Sequence, residues 1–238
     1  MELIILLFVV LLFSVVQSIF GVGLLLFGTP TLLLLGYPYD ETLWIILPSS
    51  ITISLLQTAS HYSLVQYKRD VIFYTLPFLV LSLVLVIEYN NVIDVQKIVG
   101  FIMILIGIIK FYDFLNMSMS IIVKKNIRAY HIAMGVVHGV SNMGGGFLSI
   151  LMSAIYKDKY VIRVNVAFVY MLFGFSQLAV LIIMRAGTFQ LNGVLLIPVA
   201  LISYFYAGNK LFISKIKDES YQSLITIFIL TYGIVLFL

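Results

Sequence analysis

The chain contains no cysteine, which excludes disulfides, thiolate metal ligation and any sulfur relay through a thiol. It is nearly as poor in charge. Asp, Glu, Lys and Arg make up 10% of its 238 residues, against about 25% in soluble domains. The ten acidic residues all lie in loops or near the ends of apolar segments: Glu2, Asp40, Glu41, Asp70, Glu88, Asp94, Asp113, Asp158, Asp218 and Glu219. Cation pumps and proton-driven carriers usually hold a carboxylate inside the membrane, so this distribution argues against cation transport. It also supplies no intramembrane aspartate pair for proteolysis. No polar stretch is long enough for a soluble domain, and no motif calls for a cofactor or a metal.

What remains is apolar: 62% of residues are hydrophobic and the mean hydropathy is +1.14. Runs of about 20 apolar residues recur from end to end, the mark of an all-α protein that crosses a bilayer repeatedly, here the cell (inner) membrane. The net charge of +4 sits in loops, where Lys and Arg orient a membrane protein rather than bind nucleic acid. Glu2 stands where a secretory signal would carry a basic region, and the run after it is too long for one. Eight apolar segments are expected, at 3–37, 42–65, 71–87, 98–115, 129–155, 164–184, 190–208 and 221–238. As one helix the first would measure about 52 Å against ~30 Å of hydrocarbon. It must bend, and "GVG", Gly21 to Gly23, is where.

The chain repeats itself. Asn142, Gly144 and Gly145–Gly146 follow Gly21, Gly23 and Leu24–Leu25 by 121 positions, and "VQKIVGFIMILIGII" (95–109) aligns with "YQSLITIFILTYGIV" (221–235) at an offset of 126. Two four-segment units are expected, residues 1–117 and 118–238. If all eight segments crossed, Lys and Arg would divide six to seven between the two faces. If 129–155 instead enters and returns on one side, loops 66–70, 116–130, 156–163 and 209–220 share a face with eleven, leaving only Lys97 and Arg185 opposite and Lys110 within a span. That asymmetry is what the positive-inside rule requires. The glycines then mark the tip of a re-entrant hairpin, and by symmetry 3–37 is another. One hairpin plus three crossings per unit inverts the second unit relative to the first.

Broken backbone at membrane depth survives only against protein or a polar cavity. At each tip a returning helix begins, near Leu24 and near Phe147, and helix N-termini offer free N–H groups and a positive dipole end to an anion. One reading is an anion site lined by Gly21, Gly23, Asn142, Gly144, Gly145 and Gly146. The other is close packing of helices through small residues. Asn142 beside three successive glycines favours the site, because polar groups at that depth usually line something.

The residues "SIFGVGLLLFGTPTL" (18–32) and "GVSNMGGGFLSIL" (139–151) resemble the glycine-rich signature of the sulfite exporter TauE/SafE family, also called toluene sulfonate uptake permeases. That signature runs approximately G-x-G-G-G-x-x-x-x-P, once in each half. The first copy keeps Gly21, Gly23 and Pro30 but has Leu24 and Leu25 for two glycines. The second keeps Gly144, Gly145 and Gly146 but has Asn142 and Leu151 for the leading glycine and the proline. "HYSLVQYKRDV" (61–71) and "YVIRVNVAF" (160–168) are similar to the family's basic turns. The resemblance implies export or uptake of small sulfur oxyanions or organosulfonates.

Other polar residues carry open readings. Gln17 and Ser18 either line the first tip or bond a neighbouring helix. Ser49, Ser50 and Gln57 follow on the next segment, which Pro48 kinks. Arg163 and Asn165 open a span, where Arg163 either draws anions in or, the favoured reading, serves as a cytoplasmic topology anchor. His138 either couples a proton or packs within hydrogen bonds, and His61 lies near the membrane surface. Trp44 and the tyrosines are interface anchors. The leading function is export of a small anion by alternating access. Proton-coupled anion uptake, an intramembrane hydrolase using Ser141 and His138, and a non-transporting subunit are the alternatives. The topology is testable because single cysteines can be introduced into a cysteine-free chain. Cysteines in 116–130 and in 156–163 are expected to react alike, shielded from an impermeant thiol reagent outside intact cells. Labelling of one and not the other rejects the hairpin.

Overall fold

A computed structural model describes residues 2–66, 68–89, 93–112, 115, 118, 121–123, 125–215, 220, 221, 223, 224 and 227. Among them the chain is helical, with no strand. Helix α1 spans Glu2–Phe20 and α2 spans Leu24–Leu34, so the long first segment breaks at Gly21–Gly23. Helix α3 is Tyr39–Ser60, α4 Lys68–Glu88, α5 Val95–Phe111, α6 Ile127–Ser141, α7 Gly144–Ile155, α8 Lys159–Met184 and α9 Leu191–Gly208. Five of these, α1, α3, α4, α8 and α9, are long and apolar enough to cross a membrane, which makes the chain a multi-pass membrane protein. The expected segment 221–238 lies almost wholly outside the described residues.

Local chemistry sets the ends. Helix α8 starts five residues ahead of the expected span because the Asp158 carboxylate accepts from the Tyr160 and Val161 N–H groups, satisfying first-turn donors. Asp94 does the same for α5 through the Lys97 N–H. Pro48 sits inside α3, where it removes one ladder bond, and Thr52 donates its hydroxyl to the Pro48 carbonyl. Helix α4 carries a π-helical turn at Val71–Thr75, and another, Tyr204–Leu211, begins in the last turns of α9 and runs past its end.

The chain forms two compact units, each drawing on both halves of the sequence: Met1–Val65 with Arg163–Ile216, and Gln66–Ile162 with Lys217–Leu238. In the first unit α1 packs against α2, α3 and α9. The chain after Gly23 runs back along α1: the Phe27 ring stacks 5.9 Å from Phe13, and the Tyr37 phenol donates to the Glu2 carboxylate at 2.9 Å. Burial and that carboxylate push the Tyr37 phenol up to about 12. At the same end Arg185 pairs with Asp40 at 4.0 Å, Gln190 donates to Glu41, and the Trp44 indole donates to the Arg185 carbonyl.

In the second unit α6 lies along α4, with α5 and α7 beside it. The approach is close because of two glycines four residues apart. A Cβ at Gly135 would collide with the Thr75 carbonyl, and one at Gly139 with the Ser82 hydroxyl and the Leu79 carbonyl. Packing through small residues therefore occurs along α6, and again within the glycine triplet, where a Cβ at Gly146 would lie 2.5 Å from Ile106 Cδ1. Helix α7 returns along α6, with the Tyr130 hydroxyl donating to the Phe147 carbonyl at 2.7 Å. Beyond it, Tyr156 donates to Gln66.

The same steric logic gives a stability test in the first unit. A methyl at Gly193 would meet the Trp44 carbonyl, whereas one at Gly187 meets nothing within 4 Å. In detergent, Gly193→Ala is expected to lower unfolding free energy by about 1–3 kcal/mol. Gly187→Ala is expected to stay within about 0.5 kcal/mol of the parent. Equal melting curves would reject this account of the packing.

Candidate functional site

The two breaks share one local geometry at an offset of 121 residues. Helix α1 closes with the Gly21 N–H on the Gln17 carbonyl at 2.8 Å, and α6 closes with the Asn142 N–H on the His138 carbonyl at 2.8 Å. Gly21 and Asn142 then both take left-handed backbone, at φ 77° and 64°. Asparagine is among the few residues other than glycine that visit this region routinely. Two residues on, the chain crosses the end of its own helix. A Cβ at Gly23 would lie 2.5 Å from the Gln17 backbone nitrogen, and one at Gly144 would lie 2.5 Å from the His138 Cβ.

The closures differ. At the first break the Gln17 carboxamide, fully buried, uses both of its ends. Its oxygen accepts from the Leu24 N–H at 3.0 Å, capping α2. Its nitrogen donates to the Ser50 carbonyl at 2.9 Å and the Ser54 hydroxyl at 3.1 Å. The last carbonyls of α1 are met as well. Gln57 Nε2 donates to those of Gln17 and Ser18 at 2.9 Å each, and Arg163 Nη1 donates to that of Ser18 at 3.3 Å. This is how a helix can end where no water satisfies it.

Arg163 differs from its expected role as a surface anchor. It is 3% exposed, donates also to the Gly208 carbonyl at 3.0 Å, and its guanidinium lies 3.7 Å from the centroid of the Phe212 ring. The cause is the early start of α8, which carries position 163 into the second turn. Asn165 reaches the Leu64 carbonyl, and burial together with the Arg163 charge holds the nearby His61 imidazole below its ordinary value.

At the second break the returning helix begins at Gly144, three residues before the expected Phe147. Ser141 donates to the Val137 carbonyl at 2.6 Å and accepts from the Met143 N–H, and the Gly146 N–H reaches the Met143 carbonyl. The Gly144 and Gly145 N–H groups belong to the first turn of α7, whose N-cap residue Met143 makes no side-chain cap hydrogen bond. His138, Asn142 and Gly145 are buried beside them. The sequence-expected residues therefore gather as two groups, Gln17, Ser18, Gly21 and Gly23 in one unit, and His138, Ser141, Asn142 and Gly144–Gly146 in the other. His131 is a residue sequence reasoning missed, and the burial of Arg163 was not expected. His131 is fully buried, with Nδ1 2.8 Å from the Thr75 hydroxyl in the π-helical turn of α4, and nothing in its sequence context marks it.

A family model described as Sulfite exporter TauE/SafE matches residues 6–236. No curated protein and no solved structure matches the chain.

The capping role of Gln17 is testable by stability alone. Gln17→Leu keeps the bulk but strands the Leu24 N–H, so it is expected to lower unfolding free energy by about 1–3 kcal/mol. Ser14, on the same helix, is fully buried with a hydroxyl that bonds nothing among the described residues. Ser14→Ala is expected to leave the melting temperature unchanged or raised, and equal losses in the two variants would reject the cap.

Proposed function

The chain belongs to the sulfite exporter TauE/SafE family, and from that premise we propose that it exports a small sulfur oxyanion or organosulfonate across the inner membrane by alternating access. Membership makes it a membrane transporter of the anion-exporter type; the substrate, direction and site are our reading. The observation that carries it is the pair of matched left-handed breaks, at Gly21 and Asn142, each turning an apolar helix back on itself. At the second, the Gly144 and Gly145 N–H groups stand in the first turn of α7, at its positive end and without a side-chain cap, the arrangement that favours an anion. At the first, the Ser18 carbonyl accepts from the buried Arg163 guanidinium, and Gly21 lies against the Arg163 backbone.

The re-entrant, inverted topology is part of this reading. It is supported by the contacts between loops that eight straight crossings would put on opposite faces. Asp40 with Arg185 joins 38–41 to 185–189, and Tyr156 with Gln66 joins 156–163 to the start of 66–70. Ser141, the nucleophile of the hydrolase alternative, has its hydroxyl engaged on its own helix and the following N–H.

A cell interior negative by about 100 mV favours outward movement of each negative charge by ~2.3 kcal/mol, so export needs no coupled ion. Proteoliposomes are expected to move sulfite electrogenically toward the positive side, and His138→Gln is expected to leave that flux largely intact. Strict dependence on a proton gradient, lost in that variant, would make the protein a proton-coupled importer instead. Gly145→Leu is expected to cut flux by at least tenfold while preserving expression, since bulk there covers the backbone donors. Parallel loss of expression would favour a packing role for that glycine.

A further inference from the structure

The buried polar groups around the end of α1 are not exhausted by closing that helix. Ser18 and Gln57 are at most 1% exposed, yet the Ser18 hydroxyl and Gln57 Oε1 have no hydrogen-bond partner among the described residues. The two belong to one cluster. Gln57 Nε2 and Arg163 Nη1 converge on the same Ser18 carbonyl, at 2.9 and 3.3 Å. Gly208 of the π-helical turn comes close enough that a Cβ there would stand 3.2 Å from that carbonyl. Capping α1 explains the amide nitrogen and the guanidinium. It leaves unexplained a buried acceptor and a buried hydroxyl facing no partner, both of which are costly to leave unmade.

Resting on the anion reading, we infer that Ser18 Oγ, Gln57 Oε1 and the Arg163 guanidinium form one ligand site that takes a small oxyanion still carrying an acidic proton. Each group has a distinct part. Arg163 supplies the charge and a planar set of donors, the Ser18 hydroxyl donates to a second anion oxygen, and Gln57 Oε1 accepts the anion's O–H. The amide cannot be reversed to offer a donor instead, because its nitrogen is committed to the Gln17 and Ser18 carbonyls. A fully ionised anion, or one without an O–H, presents only lone pairs or carbon to that oxygen. Sites built to bond a ligand hydrogen reject analogues that lack it.

The test uses purified full-length protein and two probe monoanions at mildly acidic pH: hydrogensulfite, which carries an O–H, and methanesulfonate, which does not. Thermal stabilisation by each is titrated, since a ligand of the native state raises apparent stability with concentration. Hydrogensulfite is expected to act at about tenfold lower concentration than methanesulfonate, the value of one hydrogen bond to a charged partner. Ser18→Ala removes a hydroxyl that bonds nothing in the unliganded protein. It is expected to weaken hydrogensulfite by about tenfold without lowering the unliganded melting temperature. Equal action of the two anions on the parent protein, or an unchanged hydrogensulfite titration in Ser18→Ala, would overturn the site while leaving anion transport standing. No response to either anion would remove both.

Discussion

Everything in this molecule turns on what happens to backbone N–H and C=O groups where a helix stops among apolar atoms. Water is absent there, and each stranded group costs on the order of a few kcal/mol. The first break answers with side chains. One glutamine caps the incoming α2, a second glutamine and an arginine close the outgoing α1, and two serine positions hold the first glutamine in place. The neutral carboxamide matters, because it satisfies a helix N-terminus without adding a charge that would need its own partner.

The second break uses the same backbone path with a different chemistry. Where Gln17 stands in the first, His138 stands in the second, and where Leu24 and Leu25 follow Gly23, two glycines follow Gly144. The first end is closed by side chains of α1, α3 and α8, whereas α7 starts without a side-chain cap.

Much of this was legible in the residues. The length of the first apolar segment against the bilayer forced a bend, and the glycines located it. The offset of 121 residues paired Gly21 with Asn142, and both residues take left-handed backbone, at φ 77° and 64°, a region asparagine visits as glycine does. Other features were not legible. Arg163 read as a surface anchor because hydropathy cannot see that Asp158 starts α8 early and carries the arginine inward. His131 has no periodic or spacing signal, and its role depends on the π-helical turn that brings Thr75 against it. Gly135 and Gly139 carried no reading of their own, because their fit against α4 is a matter of backbone-to-backbone distance that only tertiary packing defines.

The composition of the first unit has a consequence for how the protein is made. The carbonyl of Ser18 and the guanidinium that meets it are 145 residues apart in the chain, and α9, which packs on α1, is later still. During synthesis α1, α2 and α3 enter the bilayer long before those partners leave the ribosome. Gln57, only 39 residues from Ser18, is available early and can hold the end of α1 in the interval. The early stretch thus carries its own temporary closure, and the arginine completes it once the second half of the chain has been inserted.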